Sequence, residues 1–124
     1  GDGRLLSSFR YAWAGVLYVA RSQRNFRIHI AITLLVTLLG LWLRLAWSEW
    51  AIIGLTVALV LLAEMFNTVA ETAIDMATNH YHPLAKIAKD VAAGAVLIMA
   101  ILAVVIGLLI LGPHLLERLQ LLLR

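Results

Sequence analysis

The sequence contains no cysteine, so neither a disulfide nor a thiolate metal site can form. It contains no glycine-rich phosphate loop. Neither GxxxxGKS/T nor GxGxxG occurs, so no soluble nucleotide-binding fold is signalled. The HExxH zinc signature is missing as well. Charge is scarce: Asp, Glu, Lys and Arg make up 14% of the chain, and none falls between Val91 and Gly112. Internal repeats and low-complexity segments are also lacking. A net charge of +3 attracts anionic headgroups or a polyphosphate, and nothing in it calls for nucleic acid.

What remains is apolar. Hydrophobic residues form 63% of the 124 and the mean hydropathy is +0.94. That is too apolar for a soluble domain of this size, and the charge-free run argues against a soluble helical bundle. About 20 apolar residues cross a bilayer. Three stretches qualify: about Ile28–Trp47, Trp50–Glu71 and Val91–Gly112. Before them, Leu5, Leu6, Phe9, Trp13, Val16, Leu17 and Ala20 recur at helical spacing, which predicts an amphipathic surface helix over 4–21. The fold class expected is an all-α membrane protein, one domain over residues 1–124. The opening Gly1-Asp2-Gly3 lacks a start Met and reads as a trimmed or tagged end. No cleavable signal peptide is visible.

Basic residues set the orientation. With the N-terminus inside, Arg4, Arg10, Arg21, Arg24, Arg27, Lys86 and Lys89 are cytoplasmic, and Arg44, Arg118 and Arg124 lie outside. Trp42, Trp47 and Trp50 then cluster at the outer interface as an aromatic belt. Ser48 is the expected N-cap of the second span. Pro83 suits the first turn of a helix that leads into the third span, and Gly112-Pro113 is expected to end that span. Gly15 and the small residues Ala92–Ala95 are expected to admit close helix packing. Ser22–Asn25 predicts a bend between the surface helix and the first span, and His114–Arg124 an interfacial tail.

Chemistry concentrates on the second span. Glu64, Asn67, Glu71 and Asp75 are spaced three, four and four residues apart. At ~100° per residue they share one face within ~80°. A carboxylate in hydrocarbon costs at least ~2.5 kcal/mol, so such a stripe usually lines a functional cavity. Proton transfer, a divalent cation or helix–helix glue are all open readings of it. Lys89 and Asp90 enter the membrane at the depth of Glu71 and Asp75 if the helices are antiparallel. Acids for a metal, a lysine for phosphate and a Glu ~10 Å deeper form a phosphoryl-transfer layout. His80 and His82, two apart in a loop, are a weak metal signal.

Three segments carry a resemblance. EMFNTVAE (64–71) followed by Asp75, YHPLAKIAKDVAAGAVL (81–97) and RNFRIH (24–29) closely resemble the prokaryotic diacylglycerol kinase family. The likeness covers roughly Arg4 to Gly107. It implies a homotrimer of three-span protomers, each with a surface helix, in the inner membrane of a prokaryote with the active site on the cytoplasmic side. It also implies transfer of the ATP γ-phosphate to a lipid hydroxyl, with Mg²⁺. By the resemblance, Glu64 matches the general base, Asn67 its neighbour, and Glu71 a metal-binding carboxylate. Tyr11, His80, Tyr81, His82, Lys89 and Asp90 match nucleotide contacts, with Asp75 close to them. Arg4 and Ala93 match the lipid-substrate side. The wording is nearer to the undecaprenol kinase branch than to the proteobacterial diacylglycerol branch. One position departs. The family usually has a metal-binding Glu where this chain has Gln23, a neutral and weaker ligand. A small proton- or cation-coupled transporter and a non-catalytic membrane assembly subunit are the competing readings. A transporter has no need of Lys89-Asp90 or of the Tyr81–His82 loop.

Overall fold

The computed structural model describes residues 2–124, and they form four helices: α1 (Asp2–Ser22), α2 (Arg24–Leu43), α3 (Trp47–Ala77) and α4 (Pro83–Leu122). Of these, α2, α3 and α4 are each long and apolar enough to cross a membrane. At 1.5 Å per residue, α2 is about 30 Å long, the thickness of the hydrocarbon layer, while α3 and α4 overshoot it. The excess of α3 and the start of α4 lie at the same end, joined by Thr78–His82.

Each boundary has a local cause. Gln23 breaks α1 from α2 with extended backbone angles, where the polar run Ser22–Asn25 predicts a bend. The first span ends at Leu43, four residues before the expected Trp47. Arg44 takes the left-handed conformation (φ 58°), and the N–H groups of Arg44 and Leu45 close onto the carbonyls of Leu41 and Gly40. This is a Schellman-type closure on a residue other than glycine. Ser48 is not the cap of α3. The helix starts at Trp47, and the Glu49 carboxylate accepts the Ala46 N–H at 2.9 Å. At the other hairpin, Pro83 opens α4 as expected, and His82 Nδ1 accepts the Leu84 N–H at 3.1 Å.

Gly112-Pro113 does not end α4, which runs on to Leu122. Tertiary contacts override the lost donor. His114 Nε2 sits 3.0 and 2.9 Å from the two Glu49 carboxylate oxygens. Arg118 donates to the Trp42 carbonyl at 3.1 Å and stacks 4.9 Å from the Trp42 ring. The segment after Pro113 is thus clamped to the α2–α3 hairpin rather than turned aside as a separate tail.

Close packing occurs at Gly40, where an added Cβ would lie 2.6 Å from the Trp50 ring. Gly15 and Gly94 meet nothing within 4 Å, so the expected close approaches there are not made within one chain. The inward face of α2 runs Phe26, His29, Thr33, Val36, Gly40, Leu43, at alternating three- and four-residue steps. Opposite it, Ile53, Thr56, Val60, Glu64 and Thr68 are the buried residues of α3. Little else is covered. The chain exposes 9359 Å², against roughly 6,600 Å² for a compact soluble protein of its mass. Leu35, Leu38, Leu59, Leu97, Ile98 and Leu108 are among the large exposed apolar side chains, as hydrocarbon or neighbouring helices require.

Candidate active site

The α3–α4 loop end holds a cavity of about 670 Å³, and its lining includes Asp75, His80, Tyr81, His82, Lys89 and Asp90. The resemblance groups these six with Tyr11, Gln23 and Glu71 as nucleotide contacts. The antiparallel hairpin brings the six there: the Lys89 ammonium lies 2.7 Å from Asp75 Oδ1, a tie between α3 and α4 across 14 residues. Lys86, one turn earlier, pairs with Asp90 at 2.6 Å. The loop itself is ordered by Thr78, whose hydroxyl donates to the His80 carbonyl and accepts the His80 N–H. With His82 Nδ1 capping α4, Nε2 is the nitrogen that remains for a ligand.

Deeper on α3, Glu64 is 2% exposed and faces α2. His29 Nε2 stands 3.4 Å from Glu64 Oε1. That contact lacks hydrogen-bond geometry, so Glu64 Oε1 and Asn67 Oδ1 are buried acceptors without a donor. An unsatisfied buried polar atom costs roughly 1–3 kcal/mol, and each such case needs an explanation. Two of them one helical turn apart mark a polar site whose acceptors stand ready for donors. From His29 a narrow apolar crevice of about 90 Å³ continues between α2, α3 and α4, past Thr33, Thr56, Val57, Ile106 and Gly107.

Other expected site residues do not join this group. Glu71 is half-buried on α3 between the deep pair and the cavity, without lining the cavity. Gln23 is half-buried at the α1–α2 break, and its side chain makes no cap hydrogen bond. Tyr11 is exposed on α1 beneath the Arg10 guanidinium, 5.6 Å from the ring. Arg4 and Ala93 are exposed. Among the described residues, no three His, Asp or Glu side chains converge as a metal-binding group. Sequence reasoning missed His29 as a partner of Glu64. The available signal was an ionisable side chain inside an apolar span, which by default marks function.

The family model for prokaryotic diacylglycerol kinase matches residues 10–111. The chain belongs to this family. It is 50% identical over 114 residues to a diacylglycerol kinase of Synechocystis, a match that covers 91% of this chain and 65% of that relative. The chain thus spans a little under two thirds of that relative's length. It is 42% identical over 112 residues to an undecaprenol kinase of Bacillus subtilis, covering 90% of this chain and 91% of the relative. A diacylglycerol kinase of Escherichia coli is 29% identical over 114 residues, covering 92% and 93%. The names of the family and of these relatives are those of lipid kinases.

Proposed function

We propose that this protein moves the γ-phosphate of ATP to the hydroxyl of a lipid alcohol, diacylglycerol or undecaprenol, at the cytoplasmic face of a prokaryotic inner membrane. The observation that carries this is the vertical arrangement on one hairpin. Buried, donor-less Glu64 Oε1 and Asn67 Oδ1 lie below a cavity where Lys89, Asp75 and His80–His82 meet. An acceptor reaching Glu64 from the lipid phase presents its hydroxyl to the Glu64 carboxylate, with Asn67 as neighbour. Glu64 takes the hydroxyl proton as the oxygen bonds to the γ-phosphorus. The bond from that phosphorus to the β–γ bridging oxygen breaks, and ADP leaves. Lys89 lies at the cavity wall, where it can pair with phosphate oxygens in exchange for Asp75.

The donor set fits Mg²⁺ only in part. One chain offers the Glu71 carboxylate and the Gln23 amide rather than a cage. Mg²⁺ is commonly held by one or two carboxylates together with substrate phosphates, so Glu71 suffices as an anchor if ATP supplies the rest. Held by Glu71, a Mg²⁺ ion would supply charge neutralisation for the phosphates of ATP. Gln23→Glu restores a carboxylate at the second position. A charge-assisted contact is worth about 1.5–3 kcal/mol, so this variant is expected to lower the Mg²⁺ needed for half-maximal rate about tenfold or more. Titrating Mg²⁺ for both forms checks it, and identical curves remove position 23 from the metal site.

The assembly we propose is a homotrimer, with α1 as a surface helix lying along the membrane interface. The open faces at Gly15 and Gly94 support this, as does the failure of Tyr11, Gln23 and Glu71 to line the cavity of their own chain. If sites are shared, a Glu64 variant and a Lys89 variant, each inactive alone, recover part of the activity when co-assembled. A fully active monomer in detergent rules the shared site out. The acceptor is decided by radiolabelled ATP with purified protein and a panel of diacylglycerol, undecaprenol and ceramide, followed by separation of the product lipids. No labelled lipid from any of them overturns the kinase reading.

A further inference from the structure

On the facing stripes of α2 and α3 every residue is apolar or threonine except two, and those two face each other. On α2 the stripe Phe26, His29, Thr33, Val36, Gly40, Leu43 includes one ionisable residue. On α3 the buried stripe Ile53, Thr56, Val60, Glu64, Thr68 also includes one. They meet at 3.4 Å, His29 Nε2 to Glu64 Oε1. Buried Phe26 lies one turn before His29, and the Thr33 hydroxyl one turn after it donates to the His29 carbonyl at 2.7 Å. Between residues 91 and 112, α4 brings no charged group to this place.

We infer that His29 is a positioning residue for Glu64: its Nε2–H holds Oε1, leaving Oε2 for the hydroxyl of the lipid acceptor. A carboxylate with two equivalent oxygens and free rotation about its last torsion is a poorly aimed base. Anchoring one oxygen aims the other. The tautomer with the proton on Nε2 is the one this role requires. The present 3.4 Å contact shortens when the acceptor is bound, since hydrogen bonds of catalytic groups commonly tighten only in the substrate complex. No proton changes hands between the two residues. Glu64 gains the hydroxyl proton on Oε2, and its Oε1 goes on accepting from neutral His29. The inference rests on Glu64 being the base.

The test is a double-mutant cycle on transfer of labelled phosphate to the accepted lipid. His29→Phe keeps the ring and removes both nitrogens. It is expected to lower kcat at least about tenfold, with KM for ATP within about twofold. His29→Gln places an amide N–H close to the position of Nε2 and is expected to recover most of that loss. In the Glu64→Gln background, His29→Phe is expected to cost nothing further, because the group it aims is gone. Three results overturn the inference while leaving the kinase reading intact: His29→Phe with normal kcat, equal loss in His29→Gln and His29→Phe, or the same loss with and without Glu64. Normal turnover in Glu64→Gln alone is the distinct failure of the base assignment.

Discussion

Glu64→Gln is expected to reduce turnover at least about 100-fold, the lower range for loss of a general base, while ATP still binds. The substitution keeps the size and the hydrogen-bonding oxygen of the side chain. It removes the negative charge and the ability to accept a proton, and turns one of the two oxygens into an NH2 group. Because Glu64 is 2% exposed, bulk water has poor access to take over the role. The cavity proposed for ATP is lined from Ile74 outward, more than two helical turns away, so nucleotide affinity is expected to stay within a few-fold. Single-turnover transfer of labelled phosphate measures the first quantity, and titration with a non-transferable ATP analogue measures the second. Near-normal turnover removes Glu64 from this role. Loss of both quantities together assigns it to holding the hairpin instead.

The parts of this site that were legible in the sequence are those carried on a single helix or on one short hairpin. The stripe from Glu64 to Asp75 follows from helical periodicity alone. The meeting of Asp75 with Lys89 follows from two antiparallel helices joined by five residues, Thr78–His82. His29 opposite Glu64 is different. It depends on the rotation of α2 against α3, which is set by Phe26 buried at one end and by Gly40 against Trp50 at the other. No local signal encodes that rotation. The sequence marked His29 only as an interruption of a span.

Two boundaries show the same division. Arg44 adopts a left-handed conformation usually taken by glycine or asparagine, so composition gave no warning that the first span stops at Leu43. At Pro113, local chemistry favoured a stop. The bonds that carry the helix onward join residues 65 and 76 positions apart, His114 to Glu49 and Arg118 to Trp42. A reading confined to neighbours along the chain cannot contain them. The inter-protomer part of the proposed site lies beyond the sequence for the same reason, since Tyr11, Gln23 and Glu71 do not reach the cavity of their own chain.

Lys89→Met is expected to raise the ATP concentration needed for half-maximal rate by about 10–100-fold, the range for a lost charge-assisted contact to phosphate. Methionine keeps an apolar stem of similar length and deletes the ammonium. Lys89 now holds Asp75 at 2.7 Å, yet its side chain is 41% exposed, so it is accessible to a phosphate entering the cavity. The competing account is that Lys89 only ties α3 to α4 where they enter the membrane. The two differ in what else changes. A phosphate ligand acts on ATP alone and leaves the lipid requirement within about twofold, because Glu64 and Asn67 lie more than two turns deeper on α3. A structural tie disturbs both substrates alike, since loosening the hairpin moves the deep pair and the cavity together. Varying ATP at saturating lipid, then lipid at saturating ATP, separates the accounts. Equal effects on the two requirements would leave Lys89 as a helix-entry brace and shift the search for the phosphate ligand to Lys86, which shares the cavity lining and is paired with Asp90 at 2.6 Å.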